Sequence, residues 1–420
     1  MQKSNWKKCK LGDVATTTTT KISCSDITSN YISTENMLPD KGGIVAASLL
    51  PNSGNVSIYH KGDVLVSNIR PYFKKIWHAT VDGAASNDVI VFHANEGVNS
   101  RYLYYTLADD NFFAYVMTGA KGTKMPRGDR KQILQYPVNL PSLDEQKRIA
   151  EILGSLDDKI ELLQKQNKTL EDMAKALFKS WFVDFDVVRA KQKGLPKADI
   201  VREYHLTEEL YDLFPSSFAD SPLGPIPSGW EVKTIQDLGE VVCGKTPSTS
   251  HKEYYGGSMP FITIPDMHNS IFVNKTERYL TSQGEQAQPT KTLPPFSVCV
   301  SCIATPGLVT MTTANSQTNQ QINSVIPHNL EAKFYNYYVL RSVADQIRAQ
   351  GSGGSVFVNL NKTAFSKIKV LWADQSLQKL FTKESESYFN KILNNLKQIQ
   401  TLTELRDTLL PRLISGKIRV

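Results

Sequence analysis

The sequence predicts an α+β chain in which two β-rich mixed globules in pseudo-two-fold arrangement are separated by two long helices forming an antiparallel coiled coil. Three observations predict it. The first is an internal repeat: a shift of 232 places Gln146 on Gln378, Lys147 on Lys379, Ile160 on Ile392, Thr169 on Thr401 and Leu170 on Leu402. The second is a run of short apolar segments, such as DVLVSNI (63–69) and DVIVF (88–92), punctuated by turn signals such as Pro51-Asn52-Ser53-Gly54 and Val81-Asp82-Gly83. The third is an apolar seam spaced alternately four and three residues apart near each copy's end. A chain built as globule, helix, globule, helix suits a partner that is itself two-part.

The elements follow in order. Residues 1–142 form the first globule, with one helical stretch, SRYLYYTLADDNFFAYV, before a basic loop. Residues 143–186 form the central long helix. Residues 187–229, rich in Pro, Ser and Gly in their last third, read as a surface connector pinned by Leu213-Phe214-Pro215 and Pro225-Ile226-Pro227. Residues 230–372 repeat the globule, with SVCVSCIA (297–304) in place of the first strand run and FYNYYVLRSVADQIRAQ (334–350) as its helix. Near the starts the register drifts: Trp6 falls on Trp230, and Leu11-Gly12-Asp13-Val14 on Leu238-Gly239-Glu240-Val241. Residues 373–420 form the C-terminal long helix.

The first seam reads Ile149, Leu153, Leu156, Ile160, Leu163, Asn167, Leu170, Ala174, Leu177 and Trp181. The second reads Phe381, Ser385, Tyr388, Ile392, Asn395, Ile399, Leu402, Arg406, Leu409 and Leu413. Each helix spans roughly 34 residues, or about 50 Å at ~1.5 Å per residue. If the two run antiparallel with residue numbers summing to 562, Trp181 meets Phe381, Ala174 meets Tyr388, Ile160 meets Leu402, Leu163 meets Ile399 and Asn167 meets Asn395. A polar pair inside an apolar seam costs stability and fixes register. The alternative is that each helix only covers its own globule.

Composition narrows the function. There is no run of 18 apolar residues, so no membrane span is expected. The start has no apolar stretch after its basic residues, and five scattered cysteines suit a reducing cytosol. The net charge of +7 is uneven: residues 1–142 carry 16 Lys and Arg against 11 Asp and Glu, residues 230–372 carry 12 against 9, and the first helix is slightly acidic. A basic excess on the globules is where a polyanion would be held, with ordinary solubility charge as the plain alternative.

Catalytic patterns are missing. No GxxxxGK[ST] phosphate loop is present. Leu293-Pro294-Pro295-Phe296 resembles an amino-methyltransferase tetrapeptide but begins with Leu, where a hydrogen-bonding side chain must receive the target amine. Cys299 and Cys302 have zinc-like spacing without a second pair nearby, and the seven histidines form no i, i+4 pair, so no metal site is expected. Asp184 and Asp186 near Arg189 and Lys191 suit capping and surface pairing better than a nuclease site. No catalytic residue is assigned.

Nucleic-acid chemistry is present. The loop from Lys121 to Lys131 holds Lys121, Lys124, Arg127, Arg130 and Lys131 against one acid, with Thr123 and two glycines that let backbone approach a phosphate. Arg127 or Arg130 could grip a guanine edge with two hydrogen bonds. The matching segment of the second globule offers Ser355, Asn359, Asn361 and Lys362, and an Asn can read adenine. A second basic and aromatic run contains Arg70, Tyr72 and Lys74; its counterpart contains Thr305. The polar run at Asn87 aligns with the amide run that holds Asn319 and Gln320. Unlike residues at equivalent places give each globule its own short target, with the helices setting the distance between the parts.

At LPSLDEQKRIAEIL (140–153), ALFKSWFVDFDVVRAK (176–191), LFPSSFADSPLGPIPSGWE (213–231) and GKTPS…YYGGSMPFITIPDM (244–267), the chain resembles the specificity subunit of Type I restriction-modification systems, across essentially its whole length. The resemblance implies that the globules are two target recognition domains reading a bipartite, asymmetric duplex DNA target. It implies that the long helices dock two methyltransferase subunits, which bind S-adenosylmethionine and methylate adenine. It also implies restriction subunits that use ATP and Mg for translocation and cleavage in phage defence, in the cytosol of a bacterium or archaeon at the nucleoid. The chain itself would bind no cofactor. It departs from the family at Leu371-Trp372-Ala373-Asp374-Gln375, where the first copy keeps Leu140-Pro141-Ser142, and in the polar Ser385, Asn395 and Arg406 of the second seam. The competing reading is a coiled-coil scaffold with two β-rich modules that bind protein or RNA. A single-chain DNA methyltransferase is disfavoured by the missing motifs.

Overall fold

The strand Val64–Ser67 is apolar at successive positions because both of its faces are covered. Val64 and Val66 pack with Ile90, Phe92, Leu103 and Phe112, while Leu65 faces the opposite way into a second cluster with Ile32, Met37, Tyr59 and Val91. A continuous apolar run is what a strand buried on two sides requires. The computed structural model describes residues 6–27, 30–268, 270–303, 305–351 and 360–420. It divides into two compact units, Met1–Leu162 with Gln398–Val420, and Leu163–Lys397.

In the first unit, Lys7–Lys10 pairs antiparallel with Pro137–Leu140, closing the globule where its ends meet. The central sheet has the order Ala15–Thr17, Val89–Ala94, Val64–Ser67, Ile76–His78. A second four-stranded sheet has the order Lys21–Ser23, Asn55–Tyr59, Gly83–Ala85, Tyr31–Ile32. The stretch expected as one helix is two, Ser100–Ala108 and Asp110–Thr118. Asp109 divides them: its extended backbone ends the first, and its carboxylate accepts from Asn111 N at 2.8 Å to cap the second.

In the second unit, Glu231–Thr234 pairs with Lys369–Trp372, and the main sheet has the order Gly239–Cys243, Ile322–Pro327, Val298–Ser301, Val309–Thr312, Phe272–Val273. Its first four strands repeat the order of the first globule's central sheet. The short helix Leu11–Val14 and the strand from Ala15 correspond to Ile235–Leu238 and the strand from Gly239. Leu11 therefore matches Ile235. The expected register, which placed Leu11 on Leu238, is three residues out, because the similar LGDV and LGEV strings lie at different points of the shared turn.

The long helices are Leu143–Phe182 and Gln375–Ile414, 40 residues each and 232 apart at both ends. The central helix stops at Phe182 rather than 186. Phe185 is left-handed at φ 57°, Lys179 pairs with Asp184, and Asp186 starts a new helix while accepting from Ser180 Oγ at 2.7 Å. The connector is more structured than its composition suggests, with helices Asp186–Gln192, Lys197–Glu203 and Glu208–Leu213. Its Phe214 and Ile226 are buried, and Phe214 meets Trp181 edge-on at 5.5 Å.

Within the second unit, Asn395 Nδ2 donates to Asn167 Oδ1 at 2.8 Å, and Trp181 lies edge-on to Phe381 at 6.1 Å. Ile160, Leu163 and Ile392 are buried; Leu156, Leu170, Ile399 and Leu402 are half-buried. Tyr388 is only half-buried; its neighbour Phe389 enters the core and stacks on Phe334 at 3.8 Å. The spacing Phe381, Ser385, Phe389 follows the helix's own period, which drifts by about 20° per heptad from a strict seam. Ser385 is buried with its hydroxyl donating to Phe381 O at 2.6 Å. Pairing and covering coexist: the first unit clusters Tyr102 and Tyr105 of its globule with Ile149 and Leu153 of one helix and Leu410 and Leu413 of the other.

Candidate nucleic-acid interface

The basic loop of the first globule is a built structure. Lys121 and Arg127 form an antiparallel bridge, exchanging N–H···O bonds of 2.9 Å in both directions. Gly122 between them sits at φ +98°, and a Cβ on Gly128 would lie 2.8 Å from Asn68 Oδ1. Both positions therefore exclude larger residues. Asp129 caps the short helix Arg130–Ile133 by accepting from Lys131 N at 2.9 Å and Gln132 N at 3.3 Å, and these bonds hold its carboxyl below the ordinary range. The loop's acid is thus a cap, and the side chains of Lys121, Thr123, Lys124, Arg127, Arg130 and Lys131 are all exposed.

The second run docks against this loop. Arg70 N donates to Pro126 O at 2.8 Å. A single 3-10 turn, Pro71–Phe73, is flanked by Arg70 and Lys74, both left-handed. Tyr72 and Phe73 are exposed with rings 4.7 Å apart, a surface on which a base can stack. Lys74 pairs with Asp110 at 2.9 Å and Lys41 with the same carboxylate at 3.1 Å. Partial burial pushes the Asp110 carboxyl up, but the two ammonium groups outweigh it and hold it below its ordinary value. Arg127 pairs with Asp88 at 3.1 Å, and Arg130 donates to Asn87 O at 2.8 Å. Exposed pairs of this kind are worth roughly 0–1 kcal/mol, so a phosphate or base edge can exchange with them. The structure thus brings Arg70, Tyr72, Lys74, Lys121, Thr123, Lys124, Arg127, Arg130, Lys131 and Asn87 into one linked set of loops. Sequence reading missed Lys21, whose ammonium reaches Asn87 Oδ1, and Lys41. Both are distant in sequence and arrive through strand pairing and loop contacts.

The second globule is built differently. Thr305 is exposed, its carbonyl accepting from Ser301 Oγ at 2.6 Å. The amide run divides: Gln317 is buried and spends its side chain on Gln288 O and Thr292 Oγ1, whereas Gln320 is exposed and accepts from Thr246 Oγ1 at 2.8 Å. Asn319 is half-buried and closed on Gln321. Asn361 is a helix cap, its Oδ1 accepting from Ala364 N at 2.9 Å, which commits the acceptor that reading adenine would need. Lys362 beside it is exposed; Ser355 and Asn359 lie outside the described residues. A groove of about 580 Å³ lined by Lys252, Tyr255, Arg278 and Tyr279 was not signalled in sequence, because its cations come from a 3-10 turn and a strand 26 positions apart.

The motifs set aside as non-catalytic are structural. Leu293 is fully buried, and Pro294 O accepts from Ser297 and Thr312 hydroxyls at 2.7 Å each. Cys299 and Cys302 are buried, and burial pushes the Cys299 thiol up to about 12. Among the described residues no group of three His, Cys, Asp or Glu could hold a metal ion, and no helix is long and apolar enough to cross a membrane.

Known proteins carry the same plan. The family model described as the Type I restriction modification DNA specificity domain matches residues 3–172 and again 227–403. The HindI specificity subunit of Haemophilus influenzae is 36% identical over a 462-residue alignment that covers 99% of this chain and all of that one. The MjaIX specificity subunit of Methanocaldococcus jannaschii is 23% identical, covering 87% of this chain and 80% of its own. The crystal structure of the S subunit of a Type I restriction-modification system from M. genitalium shares the fold, with a TM-score of 0.56 at 15% identity, over 99% of this chain and 97% of that one. Two matches of one family model, falling on the two copies of one sheet framework, show that the chain belongs to the Type I restriction-modification DNA specificity family.

Proposed function

We propose that this chain reads a bipartite, asymmetric duplex DNA target, one half-site per globule, and that its long helices dock two methyltransferase subunits and, in the restricting complex, restriction subunits. The chain contributes recognition and no catalytic group. S-adenosylmethionine belongs to the methyltransferase subunits, and ATP with Mg to the restriction subunits, in the cytosol. The observation that carries this reading is one sheet order used twice with unlike loops: a cationic loop beside an exposed aromatic pair in the first globule, and an amide-bearing turn and a cationic, tyrosine-lined groove in the second.

The division of labour follows from side-chain chemistry. Exposed ammonium groups such as Lys124 suit phosphates, which position the duplex without reading it. Guanidinium and amide groups held by the framework suit base edges. The test is duplex affinity against salt for the chain with its methyltransferase partner. Six or more phosphate contacts predict a fall of roughly a thousandfold or more between 50 and 200 mM salt. A complex that retains no duplex at low salt contradicts the reading.

A further inference from the structure

Most cations on the first globule's loops already have partners within the protein: Arg127 on Asp88, Arg130 on Asn87, Lys74 and Lys41 on Asp110. Lys124 and Lys131 are exposed to solvent, whereas Arg70 is half-buried. Its Nε is buried and has no hydrogen-bond partner, and Asn68 Oδ1, two residues earlier, is orphaned in the same way. Buried polar groups are nearly always paired, so an orphan guanidinium donor beside a cavity has hydrogen-bonding capacity left for an outside partner. The backbone at Arg70 is left-handed, φ +48°, and is held there by Arg70 N on Pro126 O and Phe73 N on Arg70 O, at 2.8 and 2.9 Å. A non-glycine residue keeps this conformation only where its surroundings enforce it, and such strain gathers at ligand sites.

Arg70 also lines a cavity of about 220 Å³, with Thr34, Glu35, Ser67, Phe73 and Lys75. Two classes of DNA group could enter. A phosphate would meet the Arg70 and Lys75 cations but would set a like charge against the exposed Glu35 carboxylate and leave it without a donor, whereas the exposed Lys124 and Lys131 suit a phosphate with no carboxylate to satisfy. A base edge meets no such penalty. Guanine presents O6 and N7 side by side as acceptors for a guanidinium fork, and the cytosine paired with it presents an N4 amine that a carboxylate accepts. In the sequence the aligned position of the second globule is Ala304, which carries no guanidinium.

We propose that Arg70 reads the guanine of one G·C pair in the first globule's half-site, with Glu35 placed for the cytosine amine. The proposal rests on the recognition role above. The test uses the complex of the chain with its methyltransferase partner and duplexes of the motif found by methylation sequencing, each G·C pair replaced in turn. The variants are Arg70→Lys, which keeps the charge and loses the fork, and Arg70→Asn, which tolerates the left-handed backbone. In the wild type, one replacement in one half-site should weaken binding roughly 5- to 150-fold. In both variants that discrimination should disappear, while the other positions and low-salt binding persist. Lys124→Ala should weaken all duplexes alike. Both variants discriminating as the wild type does, on a complex that binds duplex, would overturn the role of Arg70 alone. A wild-type complex without salt-sensitive duplex binding would overturn the recognition role and Arg70 with it.

Discussion

The two globules make the same hydrogen bonds where they meet the long helices and different ones where their loops face outward. Tyr102 OH donates to Asn139 O at 2.5 Å, and Tyr335 OH donates to Leu371 O at 2.8 Å, at the equivalent place. Gln146 Nε2 donates to Pro141 O at 3.0 Å, and Gln378 Nε2 donates to Ala373 O at 2.7 Å. The departure from the family pattern at Leu371–Gln375 thus leaves the junction intact, because the repeated bonds use main-chain carbonyls and need no proline. In the outward loops the likeness stops. Arg70 has no counterpart guanidinium, and the cationic loop closed by Lys121 and Arg127 faces a counterpart with far fewer cations. Conserving main-chain junctions while freeing side-chain loops lets one frame carry two readers.

The largest difference between the two units should come from their cores. Phe381 and Ile149 are equivalent, both fully buried at the starts of the long helices. Phe381→Ala removes a ring packed against Phe178, Phe182 and Tyr338 and should cost about 3–5 kcal/mol, and Ile149→Ala about 2–5. Hydrogen exchange should place the first loss in the second unit and the second in the first.

Acid should separate the units next. His78 pairs with Val64 across the sheet, and the equivalent place opposite Val298 is Met311. Burial, assisted by Arg101, pushes the His78 imidazole down to about 4. The unfolded chain, with an ordinary histidine, binds this proton first. The contribution is therefore full above about pH 6.5 and is lost as pH falls towards 4, at most about 3 kcal/mol. Exchange protection in the first unit should fall over that window, and His78→Met should abolish this component.

A smaller effect is expected in the seam. Asn395 is buried and its Nδ2 donates to Asn167 and Gln166, so Asn167→Leu should cost about 1–3 kcal/mol. Asn167→Leu with Asn395→Leu should recover stability while loosening register or stoichiometry, read by mass measurement of the complex. Unchanged assembly and methylation in the single variant would remove the register role. Smallest of all, Lys124→Ala should reduce the salt slope of duplex binding by about one phosphate.

Much of this was legible in the sequence because periodicity and identity at a fixed offset survive where cores and junctions are shared. The long helices and the meeting of Asn167 with Asn395 are of that kind, and the exposed cationic loop showed through its local charge. The rest depended on tertiary choices. A heptad reading selects Tyr388, whereas packing on the globule's own helix selects Phe389. Asp109 reads as an ordinary helix residue until its carboxylate is seen capping the next helix. Asn361 reads as a free amide until its oxygen is found capping a turn. Lys21 and Arg130 are over a hundred residues apart, yet both reach Asn87.

The central claim is one frame with two independent readers, and exchange of a single loop set tests it most directly. Residues 68–75 and 121–131 would be replaced by those of a related chain, and the methylated motif of cells carrying the complex sequenced. The wild type should give a two-part adenine-methylated motif, with one part changed and the other unchanged in the exchange. A motif altered in both parts at once, or unaffected by the exchange, would contradict it.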